Sequence, residues 1–141
     1  MSKCLTIDDV RLFILDRTAE DNELDMDLSF SDEEIASAMR RAAREANDIP
    51  PYTVQVSGDC LPGASNIWLH AVTEQLYLSK LSNLMRNDID YEAGGVSVTV
   101  TKSRIAHFKD LVKLHRSIWE DKLRRLKVGV NVRRFHYYGG C

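Results

Sequence analysis

Four histidines, His70, His107, His115 and His136, and three cysteines, Cys4, Cys60 and Cys141, carry the imidazole and thiol groups that zinc prefers. No CxxC or HxxxH pair sets two of them at a workable spacing. His107 and His115 fall on one helix but ~12 Å apart along its axis, too far to share an ion. Asp21-Asn22-Glu23-Leu24-Asp25-Met26 places oxygen ligands at alternate positions, as a calcium loop begins. The loop fails at its sixth position, Met26 where glycine is required, and at its twelfth, Asp32, which belongs to a helix start. Asp88, Asp90 and Glu92 resemble nuclease carboxylates, yet they sit in a turn, where Asp is favoured for backbone reasons. There is no GxSxG, phosphate loop or HExxH, and no cysteine stands locally beside a histidine. The sequence therefore predicts a protein that is not an enzyme and holds no metal or cofactor.

The elements that would position such groups are mainly helical. Thr6-Ile7-Asp8-Asp9 is a capping box, which starts a short helix from about Ile7 to Leu15. Arg17 to Leu28 is acidic and aperiodic and reads as a linker or arm. Ser31-Asp32-Glu33-Glu34 is a second capping box, followed by Ile35, Ala38, Met39, Ala42 and Ala46 at helical spacing, until Pro50 and Pro51 stop the helix near Asn47. Ser65 or Asn66 caps a long third helix to about Arg86, apolar around more than half its circumference and so the central one. Val96 to Thr101 alternates and is β-branched, which predicts a strand in need of a partner. A fourth helix from about Ser103 to Lys127 turns Ile105, Phe108, Val112, Trp119, Leu123 and Leu126 inward, with Glu120–Arg124 and Asp121–Arg125 pairs outward. Trp68 and Trp119 are read as packing residues. The expected fold is thus mainly α: a small bundle of three to four helices with long central and C-terminal helices, a short β-strand, an extended N-terminal linker and an extended C-terminal tail. It forms a single domain, with an N-terminal helix and linker (1–30), a bundle core (31–127) and a tail (128–141).

The chain of 141 residues bears a net charge of -2, but the charges are segregated. Residues 1–48 hold thirteen acids against six bases, 49–101 five against two, and 102–141 three against eleven. Opposite charge at the two ends favours head-to-tail association or separate partners. The tail joins Arg133 and Arg134 to Phe135, His136, Tyr137 and Tyr138, the mixture from which interface anchors are made. Val96, Val98 and Val100, with Glu20, Glu23 and Asp25 of the acidic arm, are the expected contacts between subunits. The odd, widely spaced cysteines predict free thiols in a reducing cytosol, and no apolar run is long enough to cross a bilayer.

The order of these landmarks resembles a known family. A short first helix, an acidic linker, Phe30-Ser31-Asp32-Glu33-Glu34-Ile35 opening an alanine-rich helix, Asn47-Asp48-Ile49-Pro50-Pro51 closing it, a long Leu/Tyr-rich helix, Gly94-Gly95 before a Val/Thr segment and a Tyr/Trp/Lys-rich last helix follow one another from about Asp9 to Asn131. This is similar to the head-to-tail connector adaptors of tailed bacteriophages. The resemblance implies a structural virion protein, made in the host cytoplasm and placed in the neck between capsid and tail. It would form a homo-oligomeric ring, usually of twelve copies, bound to the portal protein above and to a tail or head-completion protein below. DNA would pass through the lumen during packaging and ejection without sequence-specific binding. The tail from Arg133 to Tyr138 is the expected portal-docking segment. The alternative from another class is a small DNA-binding protein that uses the basic C-terminal third.

Overall fold

A computed structural model describes residues 3–14, 30–52, 54–63, 65–90 and 98–138, with backbone alone at 87–90, 98–101 and 133–138. Four helices follow in order: α1 (Ile7–Ile14), α2 (Asp32–Asp48), α3 (Asn66–Asp90) and α4 (Val98–Tyr138). The fold is mainly helical, as the periodicity requires.

Both capping boxes form. Thr6 Oγ1 accepts from the Asp9 N–H at 3.2 Å while Asp9 Oδ2 accepts from the Thr6 N–H at 2.9 Å. Ser31 and Glu34 exchange the same bonds at 3.2 and 2.8 Å. Each box satisfies two amides that a helix start would otherwise leave unpaired. Ser65 Oγ accepts from the Ile67 N–H at the head of α3. The start of α2 is also held from outside, by the Arg11 guanidinium of α1 on Asp32 at 2.6 Å.

The alanine face of α2 (Ala38, Ala42, Ala43 and Ala46, with Ile35 and Met39) is buried against α3, whose Ile67, Trp68, Ala71, Val72 and Leu76 form the middle of the core. Small residues let the two backbones approach closely, and the large rings fill the remaining space. α4 runs antiparallel to α3 and closes the core with Trp119 and Leu123. α1 is too short to hold itself and is anchored by Val10, fully buried.

Five expectations are corrected. Val98 and Val100 lie in the first turn of α4 and not in a strand, and Val96 lies outside the described residues. Pairing of β type among the described residues is confined to two isolated bridges, Cys4 with Pro62 and Ser57 with Cys60. Valine and threonine favour strands only where a sheet surface receives them, whereas α4 satisfies their backbone groups internally. The tail is not extended either: α4 continues through Arg133 and Arg134 to Tyr138. Adding residues to a packed helix needs no new nucleus, so Gly129 and three valines do not end it. Third, Leu126 is exposed and Lys127 takes the inward place, because four-residue steps from Trp119 lead through Leu123 to 127. On α3, Met85 of the expected apolar face is likewise exposed.

The fifth concerns the thiols. Cys4 and Cys60 form a disulfide, with Cα atoms 5.0 Å apart and the two residues 56 positions apart in sequence. The reason is a contact that spacing alone does not reveal. The Leu5 N–H donates to the Leu61 carbonyl at 2.7 Å and the Gly63 N–H to the Lys3 carbonyl at 2.8 Å, which lays residues 3–5 against 61–63. Cys141 lies outside the described residues.

Candidate functional site

α4 presents His115, Trp119, Leu123 and Lys127 along one stripe at four-residue spacing, and α3 answers with His70 and Glu74, four apart on its own face. Three polar contacts result, one at each of three levels along α4.

At the first level the Nδ1 atoms of His70 and His115 lie 2.9 Å apart. Such a contact requires one Nδ1 to donate and the other to accept, so the accepting ring is neutral in it. Phe13 of α1 meets His70 edge-on with ring centres 5.1 Å apart, and Tyr77 lies 5.6 Å from His115. Burial holds both imidazoles below the ordinary histidine value; the Lys122 ammonium adds to the effect at His70, and the facing His70 adds to it at His115.

At the second level Glu74 is fully buried. Its Oε2 accepts from the Trp119 indole at 2.5 Å and its Oε1 from Arg116 at 3.3 Å. Burial raises the Glu74 carboxyl above the usual range, opposed by the bonds from Trp119 and Arg116. Arg116 also reaches Glu120 at 3.4 Å and Glu45 at 3.8 Å, so one guanidinium gathers carboxylates from α2, α3 and α4. The expected surface pairs form as well, Arg124–Glu120 at 2.8 Å and Arg125–Asp121 at 3.0 Å.

At the third level Lys127, 1 % exposed, donates from Nζ to the carbonyls of Ala46 at 2.6 Å and Ile49 at 2.5 Å. These groups end α2, where a cation also meets the negative end of the helix dipole. Burial pushes the ammonium below the ordinary lysine value, and the Asp48 carboxylate pushes it back.

All three levels face inward and serve packing. Among the described side chains of α4, Lys127 is the last that is fully buried, with Val130 and Asn131 half-buried beyond it, while the backbone stays helical to Tyr138, ~16 Å past Lys127. On that end Val128 is 53 % and Val132 50 % exposed. Arg133, Arg134, Phe135, His136, Tyr137 and Tyr138 share one continuous helix there, and their side chains lie outside the described residues. Glu20, Glu23 and Asp25 lie outside them too, as do Asp21 to Met26 of the calcium-like string. Of the expected docking and interface residues, therefore, the structure brings the six of the tail together and places Val98 and Val100 near the opposite end of the same helix.

The polar levels were not foreseen. Their signal is the four-residue recurrence of His70–Glu74 and of His115–Trp119–Lys127, hidden by a reading that counted apolar residues alone. Among the described residues no three His, Cys, Asp or Glu side chains gather to hold a metal ion. No family model, curated protein or solved structure matches the chain.

Proposed function

We propose that this chain is a structural adaptor of the head-to-tail connector of a tailed bacteriophage. Copies of it form a ring beneath the portal and dock there through the end of α4. The observation that carries this reading is the end of α4: a segment with two arginines and three aromatic rings continues the helix beyond Lys127, the last buried residue among its described side chains. A helix end of that composition needs a partner to cover it, and an aromatic, arginine-bearing segment suits a protein groove. The buried levels of the α3–α4 seam support a rigid wall element. The acidic first third and basic last third of the chain suit contacts between neighbouring copies and a lumen that does not retain DNA.

The rival use of the basic third, binding DNA phosphates, is less well supported. Arg116, Arg124 and Arg125 are already engaged by carboxylates, in three pairs that all lie within α4 itself.

Light scattering separates the two readings, applied to the protein alone and mixed with the portal protein of the same genome. The full chain is compared with one cut after Lys127, which keeps Phe108, Trp119, Leu123 and Lys127, the buried residues among the described side chains of α4. Multi-copy assembly of the full chain on the portal, lost on truncation, supports the adaptor and its docking helix. A full chain that ignores the portal yet binds DNA with steep salt dependence overturns the adaptor reading in favour of the rival.

A further inference from the structure

A second feature, independent of the adaptor reading, lies between α2 and α3. A cleft of about 520 Å³ is lined by Glu34 and Arg41 from α2 and by Gln75, Ser79, Ser82 and Asn83 from α3. Arg41 is half-buried there. Its Nη2 donates to Ser79 Oγ at 2.9 Å, and its Nε–H is shielded from water and meets no acceptor among the described residues. Gln75, only 4 % exposed, is in the same position: its amide nitrogen is shielded and meets no acceptor among the described residues.

Carboxylates are not scarce nearby. Glu45, one turn beyond Arg41 on α2, is turned to Arg116, which collects three of them. Arg41 has none within ion-pairing distance among the described residues. A half-buried cation without a counter-charge, next to a buried amide without an acceptor, is unfavourable unless something else supplies both. We propose that this cleft is a binding site for a single carboxylate group, held by the Arg41 guanidinium and the Gln75 amide with the Ser79 hydroxyl beside them.

The class of ligand follows from shape and charge. A planar guanidinium presents its N–H donors as a fork that matches the two oxygens of a carboxylate. Glu34, kept at the rim by its cap bond to Ser31, opposes a second negative charge and so disfavours a phosphate dianion. In this conformation both unmatched nitrogens are covered, so the ligand engages them as the two side chains turn toward the cleft.

The test follows arginine Nε–H signals by NMR in the full chain while acetate, inorganic phosphate or a blocked Ala-Glu-Ala peptide is added at constant ionic strength. The Arg41 signal is expected to move saturably with acetate and with the peptide, while those of Arg40 and Arg44 stay still. Gln75→Leu and Ser79→Ala, checked for intact folding by circular dichroism, are each expected to weaken binding, Gln75→Leu by about tenfold. Tighter binding of the peptide than of acetate assigns the carboxylate to a partner chain, and equal binding assigns it to a small acid. A motionless Arg41 signal, equal shifts at Arg40 and Arg44, or tighter binding of phosphate than of carboxylate overturns the proposal.

Discussion

The ammonium of Lys127 caps α2 by donating to the carbonyl of Ala46 at 2.6 Å, joining residues 81 apart in sequence through a side chain that is almost fully buried. A lysine here does what the end of α2 cannot do for itself, since Pro50 and Pro51 follow and the Ile49 N–H returns a single bond to Ala46. Lys127→Met keeps the methylene packing and removes the donor. The Ile49 carbonyl then loses its lysine donor and the Ala46 carbonyl keeps only the Ile49 N–H at 3.4 Å, and urea unfolding should show a loss of about 1–3 kcal/mol. Leu126→Gln, one residue earlier and exposed, should stay within about 0.5 kcal/mol of the parent chain.

Glu74 sets a pH dependence of its own. Its carboxyl is raised by burial, so the folded chain holds this proton above pH 4.5, where the unfolded chain has begun to release it. Stability from this group is complete below that value and declines as pH rises through the folded value. Glu74→Gln fixes the neutral form while keeping an acceptor for the Trp119 indole. The stability difference between the two proteins should therefore move in favour of the variant as pH is raised from 4.5 toward neutrality, as read from unfolding curves at each pH.

The histidine pair acts in the opposite sense. His70 and His115 are both held below 6.5, so the unfolded chain takes up protons first on acidification. Stability is complete above 6.5 and is lost as pH falls through the lowered folded values. The groups facing the pair are Lys122, which adds positive charge, Tyr77, whose phenol burial keeps neutral, and the uncharged Phe13. Thermal unfolding should show a falling midpoint below pH 6.5, and His115→Gln should flatten that slope.

Two glycines mark where the loop after α2 touches its surroundings. A Cβ at Gly58 would stand 2.7 Å from the Arg40 Cα, and one at Gly63 would stand 2.7 Å from the Lys3 carbonyl oxygen. Both neighbours are backbone atoms that cannot swing aside. Gly58→Ala and Gly63→Ala should each destabilise by about 1–3 kcal/mol, measured by denaturant midpoint, whereas Gly129→Ala has open space and should be neutral or stabilising.

Breaking the disulfide should also be visible. Cys60→Ser should lower stability by about 2–4 kcal/mol, and the difference from the parent chain should vanish when a thiol reductant is present in both samples.

Much of the bundle was legible because its signals are local. Thr6 and Asp9, and Ser31 and Glu34, sit three apart, and a capping box needs no knowledge of the rest of the chain. Pro50 and Pro51 stop α2 by their own covalent structure. The Val/Thr run before α4 failed because β-branching states a preference for a sheet surface that the rest of the chain does not supply. The tail failed for a related reason: Val128 to Val132 would nucleate no helix alone but continue one already packed. Contacts such as Lys127 with Ala46, His70 with His115 and Cys4 with Cys60 join residues 81, 45 and 56 positions apart, and only the arrangement of helices determines them.

The cross-link between Cys4 and Cys60 closes residues 4 to 60 into a covalent ring that contains all of α1 and α2. A pull on the first residues of the chain is then carried through the sulfur atoms directly to the segment that enters α3, and α1 and α2 bear none of it along their backbone. Tension applied between the two termini runs from Cys4 to Cys60, into α3 and on into α4, so that in a single-molecule stretching experiment the oxidised chain gives up fewer residues of contour length than the reduced one, shorter by the span of that ring.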